Sequence, residues 1–169
     1  MVGLRLRQGR AYYSSFSAGI LAGKFLSTLD LRLKGYKKWE TLAELRYQSD
    51  LAGLIIVPRE FITDLASVPR LPLAYLIAGD RAPGPAVIHD WLYQHPDFED
   101  RSLADGVINE AMAVNQPELG FEAENGVIRN LIWGGVRLGG WKAWQEHGKR
   151  GKELNPEWSA STWPKVETP

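Results

Sequence analysis

Pro85-Ala86-Val87-Ile88-His89-Asp90-Trp91-Leu92-Tyr93 is the stretch on which the reading of this chain turns. Its apolar residues and the proline in its first turn predict a helix, which His95-Pro96-Asp97 ends. His89 and Tyr93 stand one helical turn apart and share a face, while Asp90 points about 100° away from them.

C-terminal to this stretch, a second helix is predicted from Arg101 to Asn115, opened by Asp100 or Ser102. A third is predicted from Glu122 to Trp144, with Glu122 and Glu124 near its positive end. The short connection between the first two helices predicts antiparallel packing, which brings Asp105 toward His89. The segment from Gly148 to Pro169 has charges, prolines and no periodicity, so it is expected to be irregular, with Trp158 and Trp163 able to dock. On the N-terminal side, Pro69, Pro72, Pro83 and Pro85 mark a loop-rich region. Before it, Leu29, Leu31 and Leu33 alternate with polar residues, Lys34 to Lys38 reads as a turn, and a second extended stretch runs through Trp39, Leu42, Leu45 and Tyr47. Leu54-Ile55-Ile56-Val57 is a short buried strand stopped by Pro58. The predicted fold class is α+β: a small antiparallel sheet in the N-terminal half, then about three helices. The expected organisation is an extension over 1–28, a single domain over 29–147 and a tail over 148–169.

Twenty basic and twenty acidic residues in 169 give zero net charge, which argues against a basic nucleic-acid binder. The charges are segregated. Residues 1–46 carry nine basic and three acidic groups, 47–120 four and eleven, and 121–169 seven and six. Cysteine is absent, which excludes disulfide scaffolds, thiolate–zinc sites and thiol nucleophiles. No apolar run approaches the length of about 20 residues that a membrane-spanning helix needs. The basic first 30 residues imitate a targeting peptide, but Lys24 closes the short apolar run of Ala18 to Ala22, so no signal peptide is predicted.

The candidate chemistry lies in the acidic middle block. Asp105 can accept a hydrogen bond from one imidazole nitrogen of His89, fixing the tautomer and leaving the other nitrogen as a general base. Asp64, Asp90 and Asp105 offer oxygen ligands to a hard cation such as calcium. Ser67 has no Gly-x-Ser-x-Gly setting to make it a nucleophile. No histidine precedes His89, which excludes a His-Asp phosphohydrolase. The alternative for His89 is a packing role, and its exposure separates the two: a dry, buried pair favours packing. Leu131 to Trp141 is apolar and Gly-rich. Gly135 and Gly139 would let another backbone approach. That helix is either core, or a subunit- or lipid-facing surface bearing Trp133, Trp141 and Trp144. Arg129 and Arg137 argue against insertion in a bilayer.

Phe61-Ile62-Thr63-Asp64-Leu65-Ala66-Ser67-Val68-Pro69-Arg70, then His89 to Tyr93, Ala104-Asp105 and Glu110-Ala111-Met112, resemble an uncharacterised family of tailed bacteriophages and prophages, over roughly residues 29–140. The resemblance implies a phage setting, in a virion or the host cytoplasm, and supplies no activity. More distantly, the order His89-Asp90-x-x-Tyr93 followed by Asp105 is similar to the calcium-dependent secretory phospholipases. That resemblance implies His89 as base, Asp105 orienting it, Tyr93 bonded to Asp105, Asp90 as calcium ligand, and the Asp64–Pro69 loop completing the metal site. The chain departs from that pattern in lacking cysteine and in having no Gly-rich loop. Two functions are therefore expected. The first is a virion or tail-assembly protein acting through contacts with other virion proteins or with copies of itself. The second is a calcium-dependent hydrolase of host-envelope lipid esters.

Overall fold

Leu45, Tyr47 and Ser49 are buried while Arg46 and Gln48 are exposed, the period of a strand with one covered face. This strand, β4 (Leu45–Ser49), is the centre of a three-stranded antiparallel sheet. It pairs with β1 (Lys24–Phe25) on one side and β5 (Gly53–Val57) on the other. A second sheet has β3 (Lys38–Thr41) between β2 (Leu31–Gly35) and β6 (Ile62–Thr63). The computed structural model describes residues 23–65, 82–95, 98 and 100–155, without the side chains of residues 147, 148, 150 and 151.

The N-terminal half thus holds two small sheets where the sequence reads as one. The division falls after Thr41. Its hydroxyl donates to the Pro58 carbonyl and accepts from the Phe61 amide, which ties β3 to the chain entering β6 and not to β4. Leu33 continues the alternation in β2 yet is 60% exposed, so period two there marks a strand without a covered face.

Among the described residues four α-helices follow: α1 (Pro83–Gln94), α2 (Arg101–Ala111), α3 (Gly126–Gln145) and α4 (His147–Leu154). Proline opens α1, two residues earlier than predicted. The Asp100 carboxylate accepts from the Leu103 amide and caps α2. That helix ends four residues before the predicted Asn115, and Gln116 beyond it reaches back to strand β1. Gln116 accepts from the Phe25 amide and donates to the Phe25 carbonyl, imitating a strand partner. Asn125 caps α3 through the Val127 and Ile128 amides, so the helix starts after Glu122 and Glu124 rather than at them.

Two further departures concern the ends. Phe25 is fully buried and stacks on Phe121 at 3.7 Å, so Lys24–Phe25 belong to the packed unit and not to an extension. Past residue 147, where an irregular tail is expected, the chain forms α4. Asn155 after it is buried, accepts from the Ile62 amide and donates to Gln94. Trp158 and Trp163 lie outside the described residues.

The main core packs Phe25, Leu45, Tyr47, Ile55, Val57 and Phe61 of the N-terminal half against Val87, Ile88, Trp91 and Leu92 of α1. Phe61 meets Trp91 edge to face at 5.3 Å. A smaller cluster of Ala82, Ala86, Ile108, Met112, Ile132 and Val136 joins α1, α2 and α3. Helix α1 is covered on all sides, which is why every residue from Gly84 to Gln94 is buried.

Candidate functional site

Because α1 is surrounded, its polar residues must find partners in several directions. One face carries His89 and Tyr93, whose rings lie 4.0 Å apart. Tyr93 near the end of α1 meets Arg101 at the start of α2, and His89 one turn earlier meets Asp105 one turn later. That order is the antiparallel packing predicted from the short connection.

Asp105 is the hub. Its Oδ1 accepts from the Tyr93 hydroxyl at 2.5 Å and faces His89 Nε2 at 3.3 Å, long for a hydrogen bond. Its Oδ2 accepts from Arg137 Nη1 at 2.9 Å and lies 3.5 Å from Arg101 Nε. Arg101 continues to the Val136 and Arg137 carbonyls of α3, at 3.0 and 2.6 Å. One carboxylate therefore joins three helices. His89 is 1% exposed and Asp105 is wholly buried. Burial alone would push the Asp105 carboxyl up. The hydrogen bonds from His89 and Tyr93, with the Arg137 guanidinium, outweigh it and hold the group below the usual aspartate range. The Tyr93 hydroxyl is pushed up by burial and by the Asp105 charge beside it.

Gly140 makes this packing fit. A Cβ there would stand 2.7 Å from the Tyr93 hydroxyl and 3.3 Å from Arg101 Nη2. A close approach of the kind expected at Gly135 and Gly139 is made at Gly140.

A second face of α1 carries Asp90, buried, accepting from the Thr63 hydroxyl of β6. Thr63 in turn accepts from the Leu65 amide, so the start of the Asp64–Pro69 loop is tied to α1. Asp64 follows Thr63 directly and is partly buried, and Ser67 lies outside the described residues. The His89 side chain meets Asp105 of α2, and the Asp90 side chain meets Thr63 of β6. Among the described residues no group of three or more His, Asp or Glu side chains is placed to hold a metal ion.

Glu110, five residues after Asp105 on α2, is a further buried acid. It accepts from the Ser49 hydroxyl and the Asp50 amide at 2.5 and 2.7 Å, fastening the β4–β5 turn to the helix. Burial raises its carboxyl above the usual glutamate range against those hydrogen bonds.

Sequence reasoning placed His89, Tyr93 and Asp105 together, and the fold does so. It missed Arg101, Arg137, Gly140, Thr63 and Asn155. Arg101 was findable, because it stands four residues before Asp105 on one helix face. Arg137 carried no local signal.

These elements define an α+β protein whose three-helix layer is pinned by a buried aspartate shared among a histidine, a tyrosine and two arginines. The chain belongs to the family described as protein of unknown function (DUF1353), which matches residues 39–133, more than half of it. That span includes His89, Tyr93, Arg101, Asp105 and Glu110, and ends before Arg137 and Gly140. No curated protein and no solved structure matches the chain. No helix among the described residues is long and apolar enough to cross a membrane.

Proposed function

We propose that this protein works by protein–protein contact, as a virion or tail-assembly component of a bacteriophage or prophage. The observation that carries the reading is the outer face of α3. Val127, Leu131, Leu138 and Trp141 line it, and Leu138 and Trp141 are 83% and 55% exposed. An apolar strip of that kind on a helix marks a contact surface. The state of the His–Asp pair agrees. His89 is 1% exposed and Asp105 is wholly buried, as a packing pair would be, and the Asp105 carboxylate also pairs with Arg137 and Arg101 of the helix layer. The phage setting rests on the resemblance of the Thr63–Pro69 and His89–Tyr93 motifs. Quantitative mass spectrometry of purified particles tests it. The chain should be present at a fixed copy number, and particles without it would remove the reading.

A second reading has its own observation. His89 Nε2 and the Tyr93 hydroxyl both address Asp105 Oδ1, an orientation suited to a histidine general base. In this reading the protein is a calcium-dependent hydrolase of envelope lipid esters, with Asp90 and Asp64 toward the metal. Phospholipid vesicles with calcium are the assay. Turnover that His89→Ala abolishes, with calcium raising the melting temperature, would favour this reading. Neither effect appearing would eliminate it.

A further inference from the structure

The exposed strip on α3 has a spacing of its own. Val127, Leu131, Gly134, Leu138 and Trp141 follow one another at intervals of four, three, four and three residues, the repeat of a helix that packs along another helix. Gly134 is at its centre, and a Cβ there would meet nothing within 4 Å. The strip is also close to a palindrome. If it is turned end over end about Gly134, Leu131 falls on Leu138, Val127 on Trp141 and Gly134 on itself. Trp141 then faces the smaller Val127, the two leucines face each other, and the position with no side chain lies where the two backbones cross.

The charges pick the same arrangement. Helix α3 contains no acidic residue, Glu122 and Glu124 lie just before it, and Lys142 lies in its last turn, one turn before Glu146 at its C-cap. Antiparallel copies place each Lys142 beside the other copy's acidic end and set the two helix dipoles in opposition. Parallel copies superpose Lys142 on Lys142 and the acids on the acids. A surface that is complementary to itself under a two-fold rotation is what a symmetric dimer requires.

We infer that the occupant of this strip is a second copy of the chain, with two α3 helices packed antiparallel across a two-fold axis at Gly134. The inference rests on the reading of α3 as a contact surface and names the partner.

The full-length chain is tested by sedimentation velocity over a dilution series. The wild type should dimerise. Leu138→Glu should weaken association at least about 100-fold, because each dimer would bury two unpaired carboxylates, and should leave the circular dichroism spectrum unchanged. The chain has no cysteine, so single cysteines report the register directly. Under mild oxidation Gly134→Cys should cross-link to itself. Val127→Cys should not, whereas a mixture of Val127→Cys and Trp141→Cys should. A wild type that stays monomeric, a dimer indifferent to Leu138→Glu, or self-cross-linking of Val127→Cys would each overturn the inference. A monomer that Leu138→Glu destabilises would mean that the chain's own segment covers the strip, which overturns it too. A monomeric chain still found at fixed copy number in particles would refute the dimer and leave the contact reading standing.

Discussion

Replacing Gly140 by alanine separates local helix propensity from tertiary packing, because the two give opposite signs. In a helix interior, Gly→Ala gains about 1 kcal/mol from propensity. At Gly140 the added Cβ would sit 2.7 Å from the Tyr93 hydroxyl. The Tyr93 ring cannot swing away. It is buried between the His89 ring at 4.0 Å and Trp144, edge to face, at 5.1 Å. Overpacking of this kind costs about 2 kcal/mol. Displacing the Tyr93 hydroxyl from Asp105 removes a hydrogen bond to a charged group, about 2 kcal/mol more. The net expectation is a loss of about 3 kcal/mol, which for a chain of this size lowers the melting temperature by about 6–12 °C. Gly134→Ala is the control on the same helix, since nothing stands within 4 Å of its Cβ. It should gain up to about 1 kcal/mol. Both are to be read by thermal unfolding in the Leu138→Glu background, so that association does not enter. If Gly140→Ala stabilised the protein as Gly134→Ala does, the packing of Tyr93 and Arg101 against α3 would be refuted.

Asp105→Asn should destabilise by about 3 kcal/mol in urea unfolding, because it leaves the Arg137 and Arg101 charges without their counter-ion. Loss below 1 kcal/mol would deny Asp105 its place as hub. Asn155→Ala should cost about 1–3 kcal/mol by stranding the buried Ile62 amide, and no change in chemical denaturation would count against a docked C-terminal segment. Two buried acids of α2, Glu110 and Asp105, predict a stability maximum in mild acid. Glu110 has a raised carboxyl, so the folded state binds more protons there and stability rises as pH falls through that raised value. Asp105 has a lowered one, so its contribution is present above the usual aspartate range and fades as pH falls below it. Glu110→Gln should flatten the limb above the maximum and leave the acid limb in place. Melting temperatures across pH check both, and an unchanged upper limb would contradict the assignment.

The parts of the site legible in the sequence are those set by one helix and a short connection. A four-residue spacing puts His89 and Tyr93 on one face, and a brief link between α1 and α2 brings Asp105 to it. Strand identity was legible in the same way from period two. What the period could not say was which strand faces cover one another. Leu33 alternates and is exposed, while the β3–β6 pairing depends on the Thr41 hydroxyl reaching the Pro58 and Phe61 backbone. The segment after residue 147 had no apolar stripe, yet α4 ends at Asn155, whose partners Ile62 and Gln94 are far away in sequence.

By itself the sequence determined the α+β class, the helix that carries the His-Asp pair, and which side chains share its faces, because these follow from spacing along one backbone. Only the tertiary structure decided what surrounds the pair. Arg137 reaches Asp105 from 32 residues further along the chain, and the glycine that admits Tyr93 and Arg101 is Gly140. Which partners a buried carboxylate meets depends on which helices converge on it, and no local pattern encodes that convergence.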